Sequence, residues 1–311
     1  MFGPAPYLRT WLVGALAAMA VPAAAVDPQV VAFGTYDGEV IHGDYYARQP
    51  TETGTPMVIL LHMYRSDRTA FRPLIEPLHE AGFAILAVDL RGHGQSATST
   101  TRERVMQGET AVFEEMYNDV RAAYDWLAKQ EGVDRSRFGL VGASVGCSVA
   151  LDYAVEDKSV DAIVCLSPGT DYLGLDSKED IRKIRGRKIW LIGGDNAKEK
   201  QAVETLAALT HGTTTELVPG DFHGTHMFGQ VPEIEKRIVQ HLKKNVGQPT
   251  ETTVYGSIRS HIYHLPGSGW IERIKPSNMR HYSSPAEAEA RGLRKAKSRG
   301  PGDRPGRKRK P

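Results

Sequence analysis

The sequence is poor in cysteine. Only two are present among 311 residues, Cys147 in GASVGCSVAL and Cys165 in AIVCL. Two cysteines are too few for the disulfide framework that holds many small exported domains together. In apolar surroundings such as these, a free cysteine packs as a small hydrophobic residue. We therefore predict that both thiols are core residues and that no bridge joins them.

The apolar run near the start of the chain, Trp11 to Val21, is short for a membrane helix, which needs about 20 apolar residues. Arg9 precedes this run and three alanines, 23–25, follow it, which is the pattern of a secretory signal peptide. We predict a signal peptide at 1–25, no stable membrane span, and a periplasmic or secreted location. An uncleaved N-terminal anchor is the alternative.

The C-terminal residues 298–311 lack aromatic side chains and consist largely of Gly, Pro, Lys and Arg. Without rings to stack on bases, a basic run supports only attraction to phosphates or other anionic surfaces. We predict a disordered basic tail that makes at most a weak contact with an anionic surface and has no specific nucleic-acid partner. A solubilising tail without any partner is the alternative.

Between Val40 and Val246, apolar runs alternate with amphipathic stretches, which indicates an α/β fold with a mostly parallel sheet flanked by helices. Strands are predicted at MVILLH (57–62), FAILAVDL (83–90), FGLVG (138–142), DAIVCLS (161–167), KIWLIGG (188–194) and TELVPG (215–220). Helices are predicted within 71–82, 113–132 and 231–245, and directly after Ser144. The short segment between the fourth and fifth of these strands leaves no room for a large helical lid.

Ser144 lies where the third predicted strand meets a helix, in the pattern Gly142-x-Ser144-x-Gly146. The two glycines allow a turn sharp enough to present the hydroxyl above the strand end. The N–H of Val145, the first helical residue, is left unpaired at a helix start and would form half of an oxyanion hole. We predict that Ser144 is a nucleophile. The alternative is an ordinary strand-to-helix turn with an incidental serine.

Three further segments follow strand ends. LLHMYRSDR (60–68) would supply the second oxyanion donor, the backbone N–H of Tyr64. DLRGHGQS (89–96) closes the next strand. GDFHGTHMF (220–228) lies between the last predicted strand and the last helix, where a loop histidine would reach the serine.

With these motifs in this order, residues 36–246 resemble the α/β-hydrolase fold, and more narrowly the dienelactone-hydrolase-like esterases. The resemblance implies that His223 is the catalytic base, with His226 as second choice. It also places the catalytic acid just after the strand at 188–194, where Asp195 lies. An ordinary turn residue at 195 and a solvated loop histidine at 223 are the alternatives.

The chain departs from that family in three places. Family members commonly carry the acid about two residues further on, where this chain has Ala197, so Glu199 and Asp221 remain alternatives to Asp195. Met63 replaces the glycine that usually follows the strand-end histidine. The nucleophile is a serine instead of the cysteine of true dienelactone hydrolases, which argues against a dienelactone substrate.

The C-terminal part is predicted to be a separate unit. Residues 30–246 form the hydrolase domain, 247–253 a linker and 254–297 a small α+β module. In this module, the first half alternates like a hairpin, and Ser284-Pro285 opens a helix.

The segment 254–297 is similar to the small zinc modules at the end of some bacterial thermonucleases and in the Ada-type repair protein. Where those carry cysteines, this chain has Ser268, Ala296 and Arg299. The remaining His261 and His264 are too few to hold zinc. No metal or other cofactor is therefore predicted.

Together these features predict an exported serine hydrolase that cleaves carboxylic esters of small or medium acyl groups through an acyl-enzyme. Its substrate would be a small-molecule ester, with Tyr64, Tyr172 and Phe222 as pocket walls. The alternatives are a catalytically inactive binding protein of the same fold, and a thioesterase or peptidase.

Overall fold

The computed structural model of the protein describes residues 26–48, 54–246, 254–265, 268–275, 278–282 and 284–296. The predicted signal peptide 1–25, the linker 247–253, the tail 298–311 and Arg299 lie outside these ranges. Within them, no helix has the length and apolar character that a membrane crossing requires.

The main sheet has eight strands among the described residues. They are β1 (Gln29–Gly34), β2 (Val40–Tyr46), β3 (Thr55–Leu61), β4 (Ala84–Val88), β5 (Val133–Ala143), β6 (Val160–Leu166), β7 (Lys188–Gly194) and β8 (Thr214–Val218). Their order across the sheet is β1-β2-β4-β3-β5-β6-β7-β8. β1 pairs with β2, and β2 with β4, in antiparallel orientation, whereas the six strands β3 to β8 are parallel to one another. The six predicted strands are confirmed, whereas the sequence analysis missed β1 and β2.

Helices cover both faces of the sheet. They are α1 (Arg72–Glu80), α2 (Ser99–Met106), α3 (Thr110–Glu114), α4 (Met116–Leu127), α5 (Val145–Glu156), α6 (Ser177–Lys183), α7 (Ala197–Ala207) and α8 (Ile234–Asn245). In β3, Ile59 packs into the core beneath α4 and α5, while its neighbour Leu60 packs into the core beneath α1 and α8. Because successive side chains of a strand point to opposite faces, a strand buried on both sides reads as a continuous apolar run. The four predicted helices are confirmed.

The carboxyl ends of the parallel strands meet at one edge of the sheet. Leu61 pairs with Gly142, Ala143 with Leu166, and Gly194 with Val218. The loops that follow β3, β5, β7 and β8 therefore emerge side by side, and these loops carry every predicted site residue. In open α/β sheets, this edge is where ligands bind.

The connection from β6 to β7 is short. Residues 167–187 contain the seven-residue helix α6 and an isolated bridge between Tyr172 and Leu175. This segment therefore adds no large helical cover above the carboxyl edge.

The two cysteines are free and buried. The thiol of Cys147 donates to the carbonyl oxygens of Gly142 and Leu166, at 3.2 and 3.3 Å. The prediction of two unbridged core thiols is confirmed.

A second, small sheet lies at the C-terminal end. It consists of β9 (Val254–Ser257), β10 (Ile262–His264), β11 (Met279–Tyr282) and β12 (Arg294–Lys295), in the order β11-β9-β10-β12, with helix α9 (Pro285–Ala290). The antiparallel pairing of β9 with β10 confirms the predicted hairpin. The predicted helix start is also confirmed, because the Ser284 side chain caps α9 by accepting the N–H of Glu287.

The second sheet packs against the amino ends of β5 and β6. Arg291 forms an ion pair of 3.3 Å with Asp161 at the start of β6, and Arg280 donates to the carbonyl oxygen of Arg135 in β5. This docking is at the end of the sheet away from the carboxyl edge. The described residues contain no group of three or more His, Cys, Asp or Glu side chains that could hold a metal ion, so the likeness to a zinc module has no support.

Candidate active site

Ser144 occupies a strained turn between β5 and α5. Its backbone has φ 50° and ψ −116°, a combination that an L-residue adopts at a cost of about 1–3 kcal/mol. Its N–H donates to the carbonyl oxygen of Leu166 at 2.8 Å, which anchors the turn to β6. A β-carbon at Gly142 would collide with the backbone of Gly146. The turn is therefore as tight as the sequence pattern predicts, and it leaves the Ser144 side chain partly exposed.

The second glycine of the motif allows α5 to approach β3. A β-carbon at Gly146 would collide with the carbonyl oxygen of Leu61 and approach that of His62. This contact brings the start of α5, and with it Val145, next to the loop that carries Tyr64. Among the described residues, the backbone N–H groups of Val145 and Tyr64 have no acceptor. Both are therefore free to donate to a bound oxyanion.

Buried hydrogen bonds hold the loop that carries Tyr64. His62 donates from Nδ1 to the carbonyl oxygen of Met63 at 2.7 Å, and its Nε2 accepts the N–H of Leu90 at 3.0 Å. Burial lowers the pKa of His62 to about 3, so the ring is neutral and can play both roles. The loops after β3 and β4 are thereby tied together.

His223 lies on the loop after β8, and its partner is Glu199. The Nδ1–H donates to Oε1 of Glu199 at 2.7 Å. Because a carboxylate only accepts hydrogen bonds, this contact fixes the proton on Nδ1 and leaves Nε2 free to act as a base. His223 is about half exposed, with 52% of its side chain accessible, whereas the Glu199 side chain is 9% accessible.

Three donors hold Glu199. Besides His223, the N–H of Gly194 and the hydroxyl of Ser167 donate to its Oε2, at 2.5 and 2.8 Å. Burial alone would raise the pKa of Glu199, but the hydrogen bonds from His223, Gly194 and Ser167 outweigh it and hold the pKa below its usual value. The carboxylate therefore stays ionised beside the imidazole.

Ser167 links this carboxylate to the histidine loop. Its Oγ donates to Glu199 and accepts the N–H of Gly224 at 2.8 Å. Its backbone lies in the left-handed region, with φ 56°, and its side chain is buried. Gly224 in turn lies against Met63, because a β-carbon at 224 would collide with the Met63 sulfur. Met63, which replaces the glycine usual in the dienelactone-hydrolase-like esterases, thus packs under the loop that carries His223.

Asp195 is not brought to the histidine. It is exposed one residue after the end of β7, and its backbone N–H donates to the carbonyl oxygen of Gly220. Glu199 comes four residues later, in the first turn of α7, which faces the sheet edge. The structure therefore pairs His223 with Glu199, an alternative in the sequence analysis, instead of the predicted Asp195. Asp221 is exposed and accepts from Asn196 at 2.8 Å.

A signal for Glu199 exists in the sequence. Asn196 caps α7 by accepting the N–H of Glu199 at 3.0 Å, and Asn followed three residues later by Glu is a typical helix start. The sequence analysis predicts no helix at 197–207 and gives Glu199 only as an alternative to Asp195. His226, the second choice for the base, lies exposed in the short helical turn Gly224–Met227 and has no carboxylate partner among the described residues.

Ser144, Glu199 and His223 line one cavity of about 810 Å³. Other lining residues are mostly polar and come from the loop after β6 and from α6 and α7: Ser167, Asp171, Tyr172, Lys178, Lys198 and Gln201. Of the three predicted aromatic walls, Tyr172 lines this cavity. Tyr64 instead donates its hydroxyl to the carbonyl oxygen of Val105, and Phe222 packs on the core beneath α8.

Comparisons with known sequences find similar proteins over part of the chain. Residues 54–190 match the model of a family described as serine aminopeptidase, S33. An uncharacterized protein of Mycobacterium tuberculosis is 32% identical over 136 residues, which are 44% of each chain. The human protein ABHD12B is 32% identical over 124 residues, 38% of this chain and 31% of the relative. The chain thus matches less than half the length of these curated relatives.

Solved structures are similar over a longer stretch. The Pyrococcus furiosus esterase Pf2001 is 24% identical, with a TM-score of 0.57 over 71% of this chain and 94% of the esterase. A dienelactone hydrolase from Anabaena variabilis is 20% identical, with a TM-score of 0.51 over 70% of this chain and 96% of that enzyme. The strand order, the serine turn and these likenesses together identify the chain as a protein of the α/β-hydrolase fold.

Proposed function

We propose that the protein is a serine hydrolase that cleaves carboxylic esters of small or medium acyl groups. The observation that carries the proposal is the hydrogen bond from His223 Nδ1 to the buried Glu199, in the cavity that also holds the strained Ser144. A nucleophile, a base and a group that orients the base are the three parts that acyl transfer by serine requires.

In this proposal, His223 Nε2 takes the proton of Ser144 as its Oγ attacks the acyl carbonyl. Glu199 holds the imidazole tautomer and stabilises the imidazolium that forms. The N–H groups of Tyr64 and Val145 donate to the oxyanion of the tetrahedral intermediate. Protonated His223 then gives its proton to the leaving alcohol, and a water molecule activated by the same imidazole releases the acid from Ser144.

The absence of a large cover between β6 and β7 and the polar lining support a small, polar ester over a long-chain lipid. Export belongs to the same proposal and is supported by the signal-peptide pattern at 1–25. Detection of an epitope-tagged chain in the periplasm or medium would test it.

A peptidase is the second candidate. The matched family is described as serine aminopeptidase, and two carboxylates that line the cavity, Asp171 and Asp221, would attract a substrate's amino terminus. Lys178 and Lys198 offset this charge on the same lining. We favour ester hydrolysis because Asp171 and Asp221 are exposed, and Glu199, the buried carboxylate in the lining, is already held by three hydrogen-bond donors.

The test measures turnover of p-nitrophenyl acetate and butyrate by the full-length chain, beside an aminoacyl p-nitroanilide. Saturable ester turnover that Ser144→Ala and His223→Ala abolish is the expected result. Turnover of the anilide alone would favour the peptidase. If Ser144→Ala matches the wild type and no fluorophosphonate adduct forms, the chain is an inactive binding protein of this fold.

A further inference from the structure

A second cavity, of about 370 Å³, lies behind the loop that carries Tyr64. It is lined by residues 65–67 after β3, by 92–94 after β4, and by Arg102, Val105 and Met106 of α2. None of these residues lines the cavity that holds Ser144. The described chain therefore has a separate space that the proposed hydrolysis does not use.

Two arginines in this lining lack a carboxylate partner. Nearby Arg68, Arg91 and Arg104 are each ion-paired with two or more acidic side chains. Among the described residues, Arg65 and Arg102 have no such pair, and Arg65 only covers the ring of Tyr64 at 4.9 Å. The Asp67 carboxylate in the lining is already engaged by the N–H and hydroxyl of Thr69. Two guanidinium groups and this one carboxylate are the charged groups in the lining, which leaves it with a net charge of +1.

The lining also contains the imidazole of His93, which is 5% exposed. Its Nδ1–H donates to the carbonyl oxygen of Arg91 at 3.0 Å, and its buried Nε2 has no partner. Burial lowers the pKa of His93 by more than its hydrogen bond to the Arg91 carbonyl and the nearby Asp89 raise it, which favours the neutral ring. A neutral imidazole with its proton on Nδ1 presents Nε2 as a buried acceptor that lacks a donor.

We propose that this cavity binds a phosphate group, as inorganic phosphate or as a phosphomonoester. Its oxygens accept from the guanidinium groups of Arg65 and Arg102, and its P–OH donates to His93 Nε2. Carboxylates and sulfate would satisfy the two arginines, but near neutral pH neither carries a proton for the imidazole. A singly protonated phosphate supplies both the charge and the donor. The cavity is also larger than a phosphate group alone, which leaves space for a small organic ester.

The test is isothermal titration calorimetry of the full-length chain at about pH 6, where phosphate monoesters are still partly protonated. Inorganic phosphate and glycerol phosphate are the ligands, sulfate is the comparison anion, and sedimentation with phosphatidate vesicles probes a lipid source. Saturable binding of one of the phosphate ligands, tighter than that of sulfate, is expected. The tightest of the three identifies the source of the group.

Arg102→Ala tests the site without disturbing the fold, because this side chain is exposed on α2. It should weaken phosphate binding by about ten- to a hundredfold, the usual effect of losing a charge-assisted hydrogen bond. Arg72→Ala, which removes an exposed arginine outside the cavity, is the control and should leave binding unchanged. The proposal is overturned if no phosphate ligand binds saturably. Equal affinities for sulfate and phosphate, or equal effects of the two variants, would also overturn it.

Discussion

Asp195 and Glu199 both follow β7, and the substitution Glu199→Gln tests whether Glu199 is the carboxylate that assists His223. If the amide oxygen faces His223, the NH₂ group meets the N–H of Gly194, which then loses its acceptor. If the NH₂ group faces His223, it donates to Nδ1, and the ring proton must then lie on Nε2. In that tautomer, Nε2 cannot accept the proton of Ser144. Either arrangement also removes the charge that stabilises the imidazolium. An amide in place of the acid of a Ser-His-Asp triad lowers kcat by about 10⁴-fold, and we expect a loss of about 10²- to 10⁴-fold here.

Asp195→Asn is the matched control, because this carboxylate is exposed and, among the described residues, accepts no hydrogen bond. Its kcat on p-nitrophenyl butyrate should stay within about twofold of the wild type, and both variants should still label with a fluorophosphonate more readily than Ser144→Ala. The reasoning is refuted if Asp195→Asn loses orders of magnitude while Glu199→Gln keeps most of its turnover. In that case the loops would rearrange when substrate binds.

Three further results are expected. Ser167→Ala removes a donor to Glu199 and the acceptor for Gly224, so kcat should fall about ten- to a hundredfold with KM little changed; an unchanged kcat would contradict this. Gly146→Ala places a methyl group against the carbonyl oxygen of Leu61 and should lower the free energy of unfolding by about 1–3 kcal/mol, measured by urea denaturation. Because the pKa of His62 falls from 6.5 to about 3 on folding, only the unfolded chain takes up its proton between these values. Stability should therefore fall by about 1.4 kcal/mol per pH unit as the pH drops below 6.5, and His62→Gln should flatten this slope; parallel slopes would argue against it.

The central strands could be predicted from sequence because burial on both faces leaves a continuous apolar signature. β1 and β2 lack that signature, since β1 lies at the sheet edge and exposes Val30, and Gly43 interrupts the apolar pattern of β2. Helix α7 is mostly polar, with Lys198, Lys200 and Gln201 in its first turns, so periodicity alone does not reveal it.

Ser144 and its two glycines could be predicted because the turn is local, within five residues. The carboxylate that pairs with His223 could not be assigned from sequence, because its position depends on contacts between distant segments. Ser167 follows β6, Gly194 ends β7, and His223 follows β8, yet all three donate to one carboxylate. Likewise, His93 and Arg102 become neighbours of Arg65 only when the loops after β3 and β4 lie side by side with α2.

The docking of the C-terminal sheet has a geometric consequence. That sheet contacts the first residues of β5 and β6, whereas Ser144 follows the last residue of β5. Because β5 from Val133 to Gly142 runs alongside Thr55–Leu61 of β3, six steps of about 3.3 Å per residue separate the two ends by roughly 20 Å. A chain held to a surface through its C-terminal sheet would therefore present the cavity that contains Ser144 on the side away from that surface, so attachment through this sheet should leave the cavity accessible.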